Sequence, residues 1–163
     1  MPDPEQQRAL ATNRRARYDY FIKETFEAGM VLLGSEIKSA RSGRINIAEG
    51  YVYIKSGEAW LENANIAAYA PAGEQGQHDP TRSRKLLLSK KQLNYLDDQV
   101  HRDGQTIVPL KVYIKNRVAK LLIGLAKGKR QVDRRNTIKE RDAKREIDRA
   151  MKSRIYSSAM NQL

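Results

Sequence analysis

Residues 51–62 read Tyr-Val-Tyr-Ile-Lys-Ser-Gly-Glu-Ala-Trp-Leu-Glu, and this stretch decides the fold class. Two runs rich in β-branched and aromatic residues flank Ser56-Gly57, a two-residue turn that contains glycine. The pattern predicts a β-hairpin with one strand over residues 51–55 and the other over residues 58–62.

A second hairpin is predicted further along the chain. Residues 106–115 and 117–126 are two strand-like runs around Lys115-Asn116. Pro109 lacks a backbone N–H, so its strand is expected to lie at an edge or to bend at that point. Even spacing of aromatic and β-branched residues from Tyr18 to Phe26 predicts one more strand, with a second extended piece over residues 30–33.

Two short helices complete the pattern. Residues 35–41 begin with a serine that can cap a helix and stop before Gly43, so they predict a two-turn helix. Ser89 caps a longer pattern in which Leu93, Leu96 and Val100 share one face and Gly104 follows the end. Short antiparallel strands with interspersed helices predict a mainly β fold, a small closed or partly closed barrel such as the oligonucleotide-binding fold. Periodicity alone leaves other α+β barrels open.

The chain divides into three predicted regions. Residues 1–12 are polar, contain two prolines and are expected to form a flexible arm. Residues 13–127 contain the predicted barrel, and residues 128–163 form a basic tail. From Lys127 to the end there are 12 Lys and Arg against 5 Asp and Glu, so +7 of the net charge of +12 lies in this part.

The tail is too poor in large apolar residues to fold by itself. Burying one such side chain returns about 1.5–3 kcal/mol, whereas ordering some 20 residues costs on the order of 20–40 kcal/mol. Helical signals are nevertheless present, because residues 137–140 form a capping-box pattern and oppositely charged residues recur four apart. We therefore expect the tail to be disordered alone and helical when it is docked.

A net charge of +12 suggests a polyanionic partner, either nucleic acid or an acidic membrane surface, although it also serves solubility. The chain has no cysteine, so disulfides and thiolate metal sites are excluded. Its apolar runs are too short to span a bilayer, and its first residues lack the apolar stretch of a secretory signal, which favours a cytoplasmic protein.

Catalytic patterns are not found. His78 and His101 lie in no arrangement typical of a general base or a metal ligand, and residues 124–129 lack the spacing of a phosphate-binding or dinucleotide-binding loop. The sequence predicts a protein that is not an enzyme and has no cofactor or metal. An RNA-modifying enzyme remains the least favoured alternative.

RNA binding has the features that its physics requires, because cations neutralise phosphates and aromatic rings stack on unpaired bases. Three basic clusters stand out, and the first runs directly into two tyrosines. The first cluster contains Arg14, Arg15 and Arg17 before Tyr18 and Tyr20; the second contains Arg82, Arg84, Lys85, Lys90 and Lys91; the third contains Lys127, Lys129, Arg130, Arg134 and Arg135.

Several stretches, in their order and spacing, resemble the small protein B family, also called SsrA-binding protein. The matching stretches are residues 13–20 (Asn-Arg-Arg-Ala-Arg-Tyr-Asp-Tyr), 26–29 (Phe-Glu-Ala-Gly), 34–39 (Gly-Ser-Glu-Ile-Lys-Ser), 79–88 (Asp-Pro-Thr-Arg-Ser-Arg-Lys-Leu-Leu-Leu) and 126–135 (Ala-Lys-Gly-Lys-Arg-Gln-Val-Asp-Arg-Arg). The resemblance spans residues 13 to about 152.

This resemblance implies an oligonucleotide-binding barrel that binds the tRNA-like domain of transfer-messenger RNA (SsrA RNA) and brings it to stalled ribosomes for trans-translation. It also implies that the tail enters the empty mRNA channel at the decoding centre of the small subunit. Elongation factor Tu and alanyl-tRNA synthetase act on the same RNA, so they are expected as indirect partners of a monomeric protein.

The resemblance and the basic clusters together predict two sets of binding residues. The set for the tRNA-like domain is Asn13, Arg14, Arg15, Arg17, Tyr20, Glu27, Lys38, Arg82, Arg84, Lys85 and Leu87. The set for the ribosome is Lys127, Gly128, Lys129, Arg130, Asp133, Arg134, Arg135, Lys139 and Arg145. Glu27 would select donors on a base or ribose, since a carboxylate repels phosphate. Leu87 could equally belong to the core.

The tail departs from the family pattern at two positions. Arg134 stands where the family has lysine, which keeps the charge but presents a planar donor fork. Val132 stands where the family often has histidine or tyrosine, so a stacking contact on a ribosomal base is in doubt there. The alternative function is a general structural RNA-binding or ribosome-associated protein with the same barrel.

Overall fold

A computed structural model describes residues 8–160 of the chain, which form two compact units, one ending at Gly128 and one beginning at Lys129. The strands are β1 (Ala9–Thr12), β2 (Tyr20–Met30), β3 (Ile45–Asn46), β4 (Tyr51–Lys55), β5 (Glu58–Glu62), β6 (Asn65–Ile66), β7 (Arg84–Leu87), β8 (Thr106–Lys115) and β9 (Val118–Gly128). The helices are α1 (Ala16–Asp19), α2 (Gly34–Arg41), α3 (Lys90–Asp103) and α4 (Gln131–Met160), and Ala70–Ala72 form one turn of 3-10 helix.

Six antiparallel strands of the first unit close into a ring. Neighbouring strands follow the order β8-β4-β5-β7-β2-β9, and β9 pairs back with β8. Strand β1 pairs with β8 outside the ring, and β3 and β6 form a separate two-stranded sheet. Closure leaves few unpaired strand edges. This architecture confirms the predicted mainly β barrel with flanking helices.

Both predicted hairpins are confirmed. Strands β4 and β5 pair from Tyr51 with Glu62 to Lys55 with Glu58, and Ser56 and Gly57 have the positive φ angles, 53° and 72°, that a tight hairpin turn needs. Strands β8 and β9 form the second hairpin, and their register shifts just after Pro109. That bulge confirms the bend predicted for the proline.

The N-terminal part of the chain differs from the sequence prediction in two places. Residues 9–12, predicted as part of a flexible arm, form β1, because Leu10 and Ala11 pack against the main core. Residues 1–7 of the predicted arm lie outside the described residues. Tyr18 lies in α1, so the strand begins at Tyr20 and continues through Met30 as one element.

The tail unit contains one helix of 30 residues, α4, with no buried side chain. It begins at Gln131, six residues before the capping-box pattern at Thr137. The Asp133 carboxylate accepts a hydrogen bond of 3.1 Å from the backbone N–H of Arg130, a cap that the sequence pattern did not indicate. Thr137 instead donates its hydroxyl to the Asp133 carbonyl one turn earlier. No helix within residues 8–160 is long and apolar enough to cross a membrane.

Inward-facing residues of the strands form the main apolar core. On β5, Ala59 and Leu61 are fully buried in the main core, so Trp60 points outward between them. A second, smaller apolar cluster lies on the outer side of β8 and β9, where Ala16 of α1 is buried. This cluster attaches α1 to the barrel.

A buried ion pair joins α2 to β7. Arg84 and Glu36 both have 0% exposure, and Arg84 Nε donates to Glu36 Oε2 at 2.6 Å. The other guanidinium nitrogens donate to the carbonyls of Ala64 at 2.8 Å and Pro80 at 3.0 Å. Arg84 therefore ties together α2, β7 and the two loops that precede β7.

Glu36 stays ionised in this environment. Burial by itself raises the pKa of a carboxyl, but hydrogen bonds from Arg82, the Leu33 N–H and Arg84 outweigh burial and hold the pKa of Glu36 below its usual value. The Arg82 guanidinium donates to Glu36 Oε1 at 2.5 Å. Every oxygen of the buried carboxylate therefore has a donor.

We expect Arg84→Met to lower the free energy of unfolding by about 3–5 kcal/mol, because it leaves Glu36 buried without the donor to its Oε2 atom. The matched control is Lys85→Met in the next position of β7, which removes an exposed ion pair with Glu58 and should cost under about 1 kcal/mol. Urea unfolding followed by circular dichroism measures both. Equal losses in the two variants would contradict a structural role for Arg84.

Candidate nucleic-acid interface

Strand β7 presents two of the predicted binding residues to solvent. Arg84 and Leu86 point into the barrel, so Lys85 and Leu87 point outward. Leu87 is 54% exposed and therefore is not a core residue, whereas its contact with RNA stays a prediction. An exposed leucine beside a lysine is the mixed surface on which a base can pack while a phosphate is neutralised.

Glu27 on β2 lies on the same outer face. Gly29, two residues further along β2, pairs with Leu87, and a Cβ atom at Gly29 would lie only 3.3 Å from Leu87 Cβ. The missing side chain at Gly29 lets Leu87 lie close over β2. We call Glu27, Lys85, Leu87, Tyr113 and Lys115 the Glu27 patch.

The Glu27 carboxylate is held by two residues that the sequence analysis did not single out. The buried Tyr113 hydroxyl donates to Glu27 Oε2, and Lys115 Nζ lies 3.4 Å from both carboxylate oxygens. Both residues lie on β8. Their outward positions in that strand were the one sequence feature that could have identified them. A carboxylate fixed in this way keeps further lone pairs for donors on a base or ribose.

The hydrogen bond from Tyr113 holds the pKa of Glu27 below its usual value; burial opposes this effect, and Lys115 and Lys120 support it. Burial and the neighbouring Glu27 raise the pKa of Tyr113. Glu27 is therefore a carboxylate and Tyr113 a neutral phenol at neutral pH. The patch combines one anion with the lysines around it.

The first basic cluster lies at the other end of β2. Tyr20 and Glu27 are seven positions apart, which corresponds to about 23 Å of extended strand. Arg14, Arg15 and Arg17 are exposed before and within α1, and Arg15 Nε lies 3.9 Å from the Asp19 carboxylate. The structure thus separates the predicted residues into two surfaces.

Asn13 is a buried residue with a structural role. Its side-chain amide donates to the Pro109 carbonyl at 2.9 Å, and its backbone N–H donates to Leu110. Its side-chain oxygen, Oδ1, is buried without a hydrogen-bond partner. Asn13, Arg15 and Tyr20 line a cleft of about 290 Å³ at this end of the barrel.

Three other predicted residues lie around α2 and β7. Lys38 is exposed, with Nζ 5.8 Å from the centre of the Tyr69 ring. Arg82 is partly exposed and bonded to Glu36. Arg84 was predicted to bind RNA, but its guanidinium is fully buried and bonded to protein atoms, so it cannot reach a phosphate without unfolding β7. Basic clustering in the sequence did not distinguish Arg84 from Lys85.

The predicted ribosome-contacting residues occupy the tail unit and the residue pair before it. Lys127 and Gly128 end β9 and are exposed. Lys129 Nζ donates to the Thr137 hydroxyl at 2.8 Å, and Asp133 caps α4. The exposed members on or next to the helix are Arg130, Arg135, Lys139 and Arg145, and Arg134 is partly exposed. Val132 is also exposed, on the first turn of α4.

Among residues 8–160 no cluster of metal-ligating side chains is present.

Comparison with known proteins gives one consistent family. A family model described as SmpB protein matches residues 10–153. The chain is 56% identical over 148 residues to the SsrA-binding protein of Shouchella clausii (strain KSM-K16), covering 91% of this chain and 94% of that protein. It is 54% identical over 147 residues to the SsrA-binding protein of Halalkalibacterium halodurans, covering 90% and 95% respectively.

A solved structure is also similar. Its description reads "tmRNA-SmpB: a journey to the center of the bacterial ribosome", and one of its chains is 47% identical to this one with a TM-score of 0.61. The match covers 74% of this chain and 84% of that chain.

Tyr113→Phe tests how Glu27 is held. Removing the hydroxyl should lower the free energy of unfolding at neutral pH by about 1–2 kcal/mol, the lower range for a hydrogen bond to a charged group, because the patch is partly exposed. The pKa of Glu27 is lowered in the folded state, so this stabilisation is complete above the ordinary carboxyl pKa of 4.5 and is lost as the pH falls through the lowered value.

The measurement is urea unfolding of both proteins between pH 7 and pH 3. The difference between wild type and Tyr113→Phe should shrink as Glu27 becomes protonated. A difference that stays constant over this range would mean that the hydroxyl acts without Glu27.

Proposed function

The chain belongs to the SmpB family of SsrA-binding proteins, and from this we propose that it binds the tRNA-like domain of transfer-messenger RNA and delivers that RNA to stalled ribosomes for trans-translation. The observation that carries the RNA-binding part is the Glu27 patch, in which a fixed carboxylate, an exposed leucine and a lysine lie on adjacent strands. This combination can neutralise a phosphate and select a base at the same surface.

We propose that Glu27, Lys85 and Leu87 contact the tRNA-like domain, with Lys38 and Arg82 at the periphery. A second contact involves Arg14, Arg15, Arg17 and Tyr20 at the other end of β2. Asn13 supports that second surface from below, and Arg84 supports the first, because both side chains are buried. Two surfaces at different ends of β2 suit a folded RNA better than a short single strand.

The tail unit supports the second part of the proposal. No side chain of helix α4 is buried, and residues 127–163, which include the helix, carry +7 of the net charge of +12. Thirty residues of helix extend about 45 Å. We propose that this helix enters the empty mRNA channel at the decoding centre, with Gly128, Asp133, Arg134 and Arg135 nearest the junction. Asp133 then acts partly by capping the helix.

The remaining parts of the proposal follow from this role. The protein acts in the cytoplasm, where ribosomes work, as a monomer and without catalysing a reaction of its own. Elongation factor Tu and alanyl-tRNA synthetase are partners only through the shared RNA.

Lys85→Ala should reduce the salt dependence of RNA affinity, lowering the slope of log K against log salt by about 0.7–0.9 for one lost phosphate contact. The present ion pair with Glu58 at 3.0 Å is exposed and does not prevent this contact. Glu27→Gln should leave the slope unchanged but weaken the preference for the tRNA-like RNA over ordinary tRNA.

Both variants are measured by competition of labelled tRNA-like RNA against excess ordinary tRNA at several salt concentrations. Lys91→Ala, which removes an exposed lysine on α3 outside both proposed surfaces, is the control and should keep the wild-type slope. Ready displacement from the wild-type protein by ordinary tRNA would instead favour a general RNA-binding protein. Equal slopes for Lys85→Ala and wild type would remove Lys85 from the phosphate contacts.

A chain shortened to end at Gly128 keeps every strand of the barrel. It should bind the tRNA-like RNA with at most a few-fold loss at physiological salt and should support no peptide tagging on stalled ribosomes. Gel shift measures the first property and a reconstituted tagging reaction the second. If shortening the chain abolished RNA binding as well, the division into two functional parts would be wrong.

A further inference from the structure

The only tryptophan of the chain lies outside the core of the barrel. On β5 its neighbours Ala59 and Leu61 are fully buried, whereas Trp60 is half-buried on the outer face. A fully buried tryptophan would have stabilised the fold through its large apolar surface. Its outward position leaves a large aromatic surface available to a partner.

Trp60 is surrounded by residues that fit one planar ligand. It pairs across the hairpin with Tyr53 and on its other side with Lys85. The Tyr53 hydroxyl donates to Glu62 at 3.2 Å, which fixes the orientation of the ring. Tyr51 continues the aromatic surface, with its ring 6.3 Å from that of Tyr53. We call Tyr51, Tyr53 and Trp60 the aromatic face.

An open groove runs along this face. Its volume is about 430 Å³, and it is lined by Tyr53, Lys55, Ser56, Glu58, Trp60 and Ser83. Its lining combines two aromatic rings with hydroxyl, ammonium and carboxylate groups. A nucleobase has the complementary structure, with apolar faces and an edge of donors and acceptors.

The charges of the groove favour a base over a phosphate. Glu58 is paired with Lys85, and Glu62 accepts hydrogen bonds from Tyr53 and Ser83. With Lys55 at the turn, two lysines stand against two glutamates, so the groove has no excess positive charge in a chain whose net charge is +12. Phosphate binding needs excess positive charge, whereas a base can stack on an aromatic ring without it. Stacking of a base is therefore the interaction that this groove favours.

Strand β7, next to β5, indicates which ligand occupies the groove. Lys85 belongs both to the rim of the aromatic face and to the Glu27 patch, so the two surfaces are continuous across β5, β7 and β2. We propose that Trp60 and Tyr53 form a stacking platform for one unpaired nucleobase of the RNA that the Glu27 patch binds. This inference rests on the function proposed above.

Intrinsic fluorescence tests the platform in the unmodified protein, since all tryptophan emission comes from Trp60. The probe is the isolated tRNA-like domain RNA, titrated into the full chain, while fluorescence anisotropy of the labelled RNA measures binding independently. We expect quenching of Trp60 that saturates together with the anisotropy. Saturating anisotropy with unchanged Trp60 emission would overturn the platform and leave the proposed function intact.

Absence of any anisotropy change would instead contradict the proposed function.

Substitutions of Trp60 test how much stacking contributes to RNA affinity. Loss of one stacked base corresponds to an affinity about 5- to 150-fold weaker. We expect Trp60→Leu to show such a loss with an unchanged salt slope, and Trp60→Phe to lose less because a ring remains. The matched control is Tyr95→Ala, which removes another exposed aromatic ring, on α3, and should keep wild-type affinity. Thermal melting establishes that each variant is folded. Wild-type affinity in folded Trp60→Leu would overturn the platform.

Discussion

The buried ion pair between Glu36 and Arg84 is the constraint on which the rest of the barrel surface depends. A charged side chain can occupy an inward position of β7 only because a carboxylate and two backbone carbonyls accept its hydrogen bonds. Once Arg84 points inward, alternation in the strand makes Lys85 and Leu87 point outward. The positions of two proposed RNA contacts therefore follow from an interaction that RNA never touches.

The barrel separates stability from recognition by the two faces of its sheet. The inner face is an apolar core, and the outer face carries a fixed carboxylate, lysines and exposed rings. Glu27 shows how the outer face is organised, because Tyr113, itself buried, orients the carboxylate from the strand beyond β9. Selective contacts of this kind need rigid support, which the closed ring supplies.

The two units use positive charge differently. In the barrel, cations stand beside carboxylates and rings, an arrangement suited to choosing one RNA among many. In α4 the cations line a helix that buries none of its own side chains. Such a helix gains little from its own packing, so a surrounding polyanion is the natural source of its stabilisation. This division fits the proposed function, in which the barrel selects the RNA and the tail enters the mRNA channel.

The sequence by itself determined the two hairpins, the capped helix α3, the basic tail and the family resemblance, because each depends on local patterns or on residues near one another in the chain. It did not indicate β7, since an inward arginine hides the alternation of that strand, and it grouped Arg84 with Lys85 as equal cations. Only the tertiary structure decided that one is buried against Glu36, that Tyr113 holds Glu27, and that Trp60 faces outward beside Lys85. These relations join residues 25 to 86 positions apart, and strand pairing and burial set them.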